Sequence, residues 1–177
     1  MKFRSIERNE LEKIRNMDRG EQVEQIYHYK NSKLILVDEN YEIYGWDPDN
    51  LKNIISNLYR LYDRNGTFIG AFGNKNMVGI VALELNFIGK DNDTLQLDFL
   101  HVDRKYRKKG IGKSLLEMAA KRAKYLGAKK LYISATPSKN TIQFYLHNGC
   151  RLTEDLNKEL YELEPDDIHL ELDLCNF

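Results

Sequence analysis

Residues 97–115 read Leu97-Asp98-Phe99-Leu100-His101-Val102-Asp103-Arg104-Lys105-Tyr106-Arg107-Lys108-Lys109-Gly110-Ile111-Gly112-Lys113-Ser114-Leu115. A β-rich apolar run leads into a basic turn, and the turn leads into a segment with helical apolar spacing. Gly110 and Gly112 remove Cβ atoms, so backbone N–H groups there can come close to an anion. The start of the following helix adds unpaired donors and a positive dipole end. Arg104, Lys105, Arg107, Lys108, Lys109 and Lys113 surround it with positive charge. The stretch therefore predicts a strand, a phosphate-holding turn and a helix, against the plainer alternative of a solvated basic turn.

Two nucleotide motifs fail on this stretch. Gly112-Lys113-Ser114 matches the end of a Walker A loop, but Arg107 stands where the first glycine is required. Gly110 and Gly112 supply the first pair of a dinucleotide fingerprint, but Leu115 occupies its third glycine position. A nucleic-acid patch is disfavoured by the formal net charge of +0 and by the lack of a stacking aromatic series beside the turn.

Downstream, residues 111–126 place Ile111, Leu115, Ala119, Ala123 and Leu126 on one helical face, and Gly127 follows where a helix end favours positive φ. Residues 131–135 read as a buried strand, Ser138 caps a helix running to His147, and residues 168–174 alternate as a last strand. Upstream, residues 67–72, 77–87 and 95–102 are β-rich runs separated by turn residues, an antiparallel meander. Earlier still, residues 9–29 carry Leu11, Ile14, Val23 and Ile26 at helical intervals and predict two short helices broken around Asp18-Arg19-Gly20. Residues 33–37 predict a strand, Trp46-Asp47-Pro48 a turn and residues 51–62 a helix.

The 177 residues fit one domain, and 42% hydrophobic with 31% charged content is that of a globular protein. No apolar run approaches the roughly 20 residues of a membrane span, so the expected address is cytoplasmic, with no membrane and no nucleic acid as partner. Cys150 and Cys175 are too few for a disulfide framework or a zinc site, and the four histidines lack paired spacing, so no metal is expected.

Arg-x-x-Gly-x-Gly after a strand, from Arg107 to Gly112, resembles the GNAT superfamily of acyl-CoA-dependent N-acetyltransferases, over residues 67–177. The resemblance implies an α/β (α+β) fold with a mixed, mostly antiparallel central sheet flanked by helices. It implies acetyl-CoA as co-substrate, with its pyrophosphate on Arg107, Lys108, Lys109, Gly110, Ile111, Gly112, Lys113 and Ser114. The strand before the turn is implied to splay from its neighbour, so that Leu100, His101 and Val102 line the thioester and a backbone N–H near Leu100 meets the developing oxyanion. The segment Ser138-Lys139-Asn140-Thr141-Ile142-Gln143-Phe144-Tyr145-Leu146-His147-Asn148-Gly149-Cys150 is similar to the family's helix that ends in Tyr and then Gly-Phe. Tyr145 is thereby implied as general acid, against the alternative that it packs the helix. Ser138 stands where the family usually has Asn and Cys150 where it often has Phe; Asn140 is implied as a replacement cofactor contact.

For the base, Gln96 cannot act, Asp98 can if its pKa is raised, and Glu84 is a second candidate. Asp98 as a lysine-paired carboxylate is the equal alternative, and strict alternation places His101 on the opposite face. Residues 1–66 are implied as the acceptor side and residues 67–177 as the cofactor core. Seven aromatics between Tyr27 and Tyr62 predict a tyrosine-heavy core or an amine cleft, and the acidic run from Glu154 to Asp167 a solvated face or an attraction for a cationic acceptor. The expected reaction is acetyl transfer to a primary amine of a small cationic molecule by direct attack in a ternary complex. Acetylation of a protein N-terminus or lysine, or a non-catalytic acyl-CoA-binding module, are the alternatives. A homodimer is expected by analogy alone.

Overall fold

The computed structural model describes residues 1–175 and 177. Its strands are β1 (Lys2–Ser5), β2 (Glu21–Lys30), β3 (Lys33–Ile43), β4 (Thr67–Gly73), β5 (Asn76–Ile88), β6 (Thr94–Val102), β7 (Lys130–Ala135), β8 (Arg151–Leu152) and β9 (Ile168–Asp173). Its α-helices are α1 (Pro48–Asp63), α2 (Ile111–Tyr125), α3 (Lys139–His147) and α4 (Lys158–Leu163), joined by 3-10 segments Arg8–Asn16 and Arg104–Tyr106. Seven strands form one sheet in the order β1-β4-β5-β6-β7-β9-β8, and β2 with β3 forms a separate ribbon.

The expected meander is β4-β5-β6, antiparallel throughout. β5 is its centre: Ile80 and Ala82 enter one core cluster, Val81 and Leu83 the other, so the strand is covered on both faces. α2 and α3 cover one face with Leu115, Leu116, Ala119, Ile142 and Tyr145. The first 3-10 segment and α1 cover the other with Leu11, Ile14, Ile55, Leu58 and Leu61. α2 crosses β5 at Gly79, where a Cβ would stand 3.0 Å from Leu115 and 3.1 Å from Ile111. α1 starts as its sequence dictates, with the Asp47 carboxylate accepting from the Asn50 N–H at 2.8 Å and Pro48 in the first position. Gly127 follows α2 with φ +99°.

One expectation is corrected. Residues 9–29 are not two helices: the first part is the 3-10 segment, and residues from Glu21 onward form β2. The misleading signal was the three-residue step from Val23 to Ile26. The β2–β3 register shifts between Val23 and Gln25, where β3 has one residue more than β2, and Val23 and Ile26 are both buried. Three short elements, β1, β8 and α4, carry no pattern long enough to announce them, and β3 runs to Ile43, beyond the expected residue 37. The front-half aromatics divide: Tyr27, Trp46, Tyr59 and Tyr62 pack against the core clusters, whereas Tyr29, Tyr41 and Tyr44 are exposed.

β9 holds a buried charge. Glu171 is 2% exposed, and its carboxylate accepts from Arg151 at 2.8 Å and Thr153 at 3.1 Å, with Lys130 3.3 Å away. Burial alone would raise this carboxyl, but hydrogen bonds from Arg151 and Lys130 win and hold it below its ordinary value. An acid with a lowered pKa contributes stability above its unfolded pKa and loses it as pH falls through the folded one. Glu171→Ala, which leaves Arg151 and Lys130 to solvent, is expected to cost about 1–3 kcal/mol in urea denaturation at pH 7. The gap to wild type should narrow in acid, and a gap that stays constant down to pH 3 would contradict this account.

Candidate active site

The site begins where the sheet opens. β6 and β7 run parallel but pair only at Thr94–Lys130, Leu95–Leu131 and Gln96–Tyr132. Beyond Gln96 the strands part, β6 staying with β5 up to Val102 and β7 with β9 up to Ala135. The edge of β6 from residue 97 to 102 therefore faces a gap, with backbone groups not claimed by β7.

β6 is also bent here. Ala82 pairs Phe99 but Leu83 pairs Leu97, so Asp98 stands without a partner, and residues 84–86 of β5 bulge opposite Gln96. The bulge switches the faces of β6: Leu95 and Leu97 lie in the cluster under α2, and past Asp98 it is Leu100 and Val102 that do. Phe99 packs on the α1 side instead. Strict alternation thus does not run through β6, and the face argument that separated His101 from Asp98 loses its premise.

Asp98 keeps solvent access, yet enough protein surrounds its carboxyl that desolvation, reinforced by the charges of Glu84 and Glu164, raises it to about 6; Arg64 opposes. Glu84 is itself paired with Arg64 at 2.7 Å. Asp167 is raised to about 7 by desolvation and Glu164. His101 lies 4.8 Å from the Trp46 ring, its Nε2 enclosed and without a partner among the described residues. Burial and the charges of Arg107 and Arg19 push it down to about 3, so it is neutral at ordinary pH.

At the far end of β6 the turn closes. Lys108 (φ 59°) and Gly110 (φ 79°) are both left-handed, and Gly110 caps α2 without any side-chain acceptor. A Cβ on Gly110 would meet nothing, so its requirement is conformational. At Gly112 the requirement is space: a Cβ would stand 3.2 Å from Phe144 and 3.7 Å from Val102. The start of α2, the end of β6 and α3 thus converge on Gly112. Lys108, Lys109 and Lys113 are exposed around it, and among the described residues only Lys113 of the three has a carboxylate near, Glu117 at 3.9 Å.

Tyr145 is 6% exposed in the cluster that includes Leu100, Val102 and Ile111, and its ring meets Phe144 edge-on at 5.0 Å. Burial pushes its phenol well above 10, so it stays protonated at any neutral pH. Ser138 caps α3, its Oγ 3.4 Å from the Thr141 N–H. Asn140 donates to Glu21 at 3.2 Å.

The Arg107 side chain points inward, away from the exposed lysines. Its Nε donates to the Val102 carbonyl at 3.0 Å, and its two Nη atoms donate to the carbonyls of Gly20 at 3.2 Å and Arg19 at 3.1 Å. Glu21 sits 3.5 Å from it. Sequence reasoning missed Glu21, which touches Arg107, Ser138 and Asn140 and so joins the turn to α3. No sequence signal marks it, because it begins the strand that was read as a helix.

A strand that leaves its parallel neighbour, followed by a glycine turn with free helix donors and flanking lysines, is the architecture of an acyl-CoA-dependent acyltransferase. The residues fit such a co-substrate: a gap at strand depth, a turn that a Cβ at Gly112 would fill, and uncapped N–H groups. The model of the acetyltransferase (GNAT) family matches residues 32–149, and the chain belongs to that family. It is an acyl-CoA-dependent N-acetyltransferase with acetyl-CoA as its co-substrate. Among solved structures it is similar to nourseothricin acetyltransferase, with 18% identity over 98% of each chain and a TM-score of 0.74. It is similar to a putative streptothricin acetyltransferase from Bacillus anthracis in complex with acetyl coenzyme A, at 19% identity over 97% of each chain with a TM-score of 0.71. The PaiA N-acetyltransferase from Thermoplasma acidophilum, in complex with coenzyme A, gives 19% identity, 97% and 98% coverage and a TM-score of 0.62. No curated protein sequence matches the chain.

Arg107→Ala removes a charged fork from three carbonyls and is expected to lower stability by about 2–4 kcal/mol in urea denaturation. Arg107→Lys should recover only part, because an ammonium cannot reach three acceptors in a plane. Full recovery by lysine would show that charge, not the fork, matters.

Proposed function

We propose that the chain transfers an acetyl group from acetyl-CoA to a primary amine of a small cationic molecule, the amine attacking directly beside the bulge of β6. The observation that carries this is the acidic setting of Asp98, next to Glu84 and Glu164 at the opening of the sheet. A cationic amine entering there meets complementary charge, and Asp98 with a pKa near 6 is ionised at neutral pH and able to take the amine's proton. The two similar structures named as nourseothricin and streptothricin acetyltransferases support a reading of acetyl transfer to a small molecule.

Bound acetyl-CoA supplies the activated acetyl carbonyl. For this chain, the free N–H groups at Gly110, Ile111, Gly112 and Lys113, with Lys108, Lys109 and the Ser114 hydroxyl beside them, hold its pyrophosphate. Leu100, His101 and Val102 contribute backbone along the gap, and an N–H near Leu100 stabilises charge on the acetyl oxygen. Tyr145 donates its proton to the departing sulfur. Arg107 and Asn140 act by holding the turn and α3 in place, since their side chains are engaged by backbone carbonyls and by Glu21.

Gly112→Asp crowds the Phe144 ring and adds a negative charge to the turn. Titration calorimetry with acetyl-CoA should show affinity reduced at least roughly tenfold, with Gly112→Ala intermediate. Equal affinity in all three proteins would place the phosphates elsewhere.

The sign of the pH dependence follows from Asp98. Its carboxylate is the active form, so kcat/KM for a diamine or polyamine acceptor should rise with pH through about 6 and then level as far as Asp98 is concerned. Asp98→Asn should remove that limb and lower kcat/KM by roughly 10²-fold, and Tyr145→Phe should lower kcat. Full turnover in both variants, with acetyl-CoA binding intact, would favour another base and acid.

A further inference from the structure

We infer that His169 is a positioning residue for the acceptor: with Tyr132 it latches α4 over the opening of the sheet and so holds the Glu164 carboxylate beside Asp98. The inference rests on the reading of Asp98 as the base, and it extends the acceptor side beyond residues 1–66 to β7, α4 and β9.

The two faces of β7 and β9 differ in kind. Leu131, Ile133 and Ala135 of β7, and Ile168, Leu170 and Leu172 of β9, enter the core cluster under α2 and α3. The residues between them alternate to the other face and carry polar groups: Tyr132 and Ser134 on β7, His169 and Glu171 on β9, with His169 registered against Ser134. Gln96, the last residue of β6 to pair with β7, is registered against Tyr132, and Asp98 follows two residues on. The polar face thus starts where the gap starts.

α4 meets this face without an apolar anchor. None of its six residues is buried, and Tyr161, Leu163 and the preceding Leu156 are exposed. Polar contacts attach it instead. The Asn157 N–H donates to the Tyr132 hydroxyl at 3.3 Å, and that hydroxyl lies 2.9 Å from His169 Nδ1, with the Ser134 hydroxyl 3.3 Å from the same nitrogen. The Tyr132 oxygen accepts from Asn157, so its own hydrogen goes to Nδ1, which leaves the proton of the neutral ring on Nε2. His169 is 7% exposed, and its Nε2 is enclosed without a hydrogen bond among the described residues. Burial lowers the ring below the ordinary histidine value and the Glu164 backbone opposes, so at neutral pH it is uncharged. The Tyr161 ring tilts over it at 5.6 Å, and the Thr153 N–H donates to the His169 carbonyl at 3.1 Å.

Glu164 closes α4, its N–H donating to the Leu160 carbonyl at 3.2 Å, and its own carbonyl accepts from the Asp167 N–H at 3.1 Å. Its place therefore follows that of α4. Its charge acts on Asp98, as does that of Glu84 on β5, with Arg64 after α1 in opposition. A segment fastened by polar groups, with its apolar side chains outside, keeps one position only while the latch is made.

The test combines hydrogen–deuterium exchange with the pH profile of kcat/KM for a diamine acceptor, in Tyr132→Phe, His169→Leu, His169→Asn, Glu164→Gln and the Tyr132→Phe/Glu164→Gln pair. Amides of residues 157–164 should exchange at least roughly tenfold faster in Tyr132→Phe and His169→Leu, and at the wild-type rate in Glu164→Gln. His169→Asn, whose amide oxygen can stand where Nδ1 stood, should fall in between. Glu164→Gln should move the acid limb down by about half a pH unit and raise the amine KM roughly threefold, with the KM for acetyl-CoA unchanged. Tyr132→Phe and His169→Leu should do the same, and the pair should do no more than Glu164→Gln alone. Unchanged exchange in Tyr132→Phe overturns the latch. Faster exchange with the limb and the amine KM unmoved leaves a structural tie only and overturns the positioning role. A limb that survives Asp98→Asn yet still moves in Glu164→Gln and Tyr132→Phe removes the base assignment and upholds the latch.

Discussion

The arrangement depends on three rungs of parallel ladder. Between Thr94 and Gln96 β6 is joined to β7, and one residue later it is not. Closing the gap would bury more backbone hydrogen bonds, so something must hold it open against that gain. Two constraints do so. β7 is committed to β9 along its full length, and β6 is committed to β5 up to Val102, so neither strand can swing without breaking a ladder it already has. The bulges at Asp98 and at residues 84–86 then turn β6 so that Leu100 and Val102, not the residues that alternation would choose, face α2 and α3.

The turn is held by the interior, not by its own lysines. Arg107 fastens the end of β6, through the Val102 carbonyl, to residues 19 and 20, and Asp103 accepts from the Asp18 N–H at 2.9 Å. The chain between the first 3-10 segment and β2 therefore acts as a brace behind the turn. With Arg107 so engaged, the exposed Lys108, Lys109 and Lys113 are left to present charge outward. A guanidinium suits the inward role, since its planar fork satisfies several carbonyls at once, and ammonium groups suit the outward one.

The second half of the chain was legible because its elements are long and periodic: α2, β5 and the capped α3 each carry a pattern that only one structure satisfies. The basic glycine turn gave the family for the same reason, since Gly110 needs a left-handed backbone and Gly112 needs space. The front half was less legible. Val23 and Ile26 are both buried beside a register shift whose extra residue lies on β3, between Asp38 and Tyr41, and only the partner strand reveals it. The site was half-legible: Asp98 and Tyr145 were singled out by position as candidates, but the Asp98 bulge depends on its pairing with β5, and the inward turn of Arg107 and the junction at Glu21 depend on contacts between residues 86 to 119 positions apart. No local pattern encodes such a contact.

A chain of net charge +0 can still be strongly polar in its field. Here the cations of residues 104–113 gather at the end of β6, while Asp98, Glu84 and Glu164 gather at its bulge, less than one strand length away. A polyanionic donor and a cationic acceptor would each be drawn to its own end of the same gap, and their reacting atoms would meet between them. Each end is also kept from neutralising the other, because Arg64 pairs with Glu84 locally and Arg107 is turned into the fold. For the cationic acceptor proposed above, charge separation along one strand would order the two substrates before any contact specific to either is made. Of the acidic run near the end of the chain, Glu164 lies close enough to the bulge to help raise Asp98.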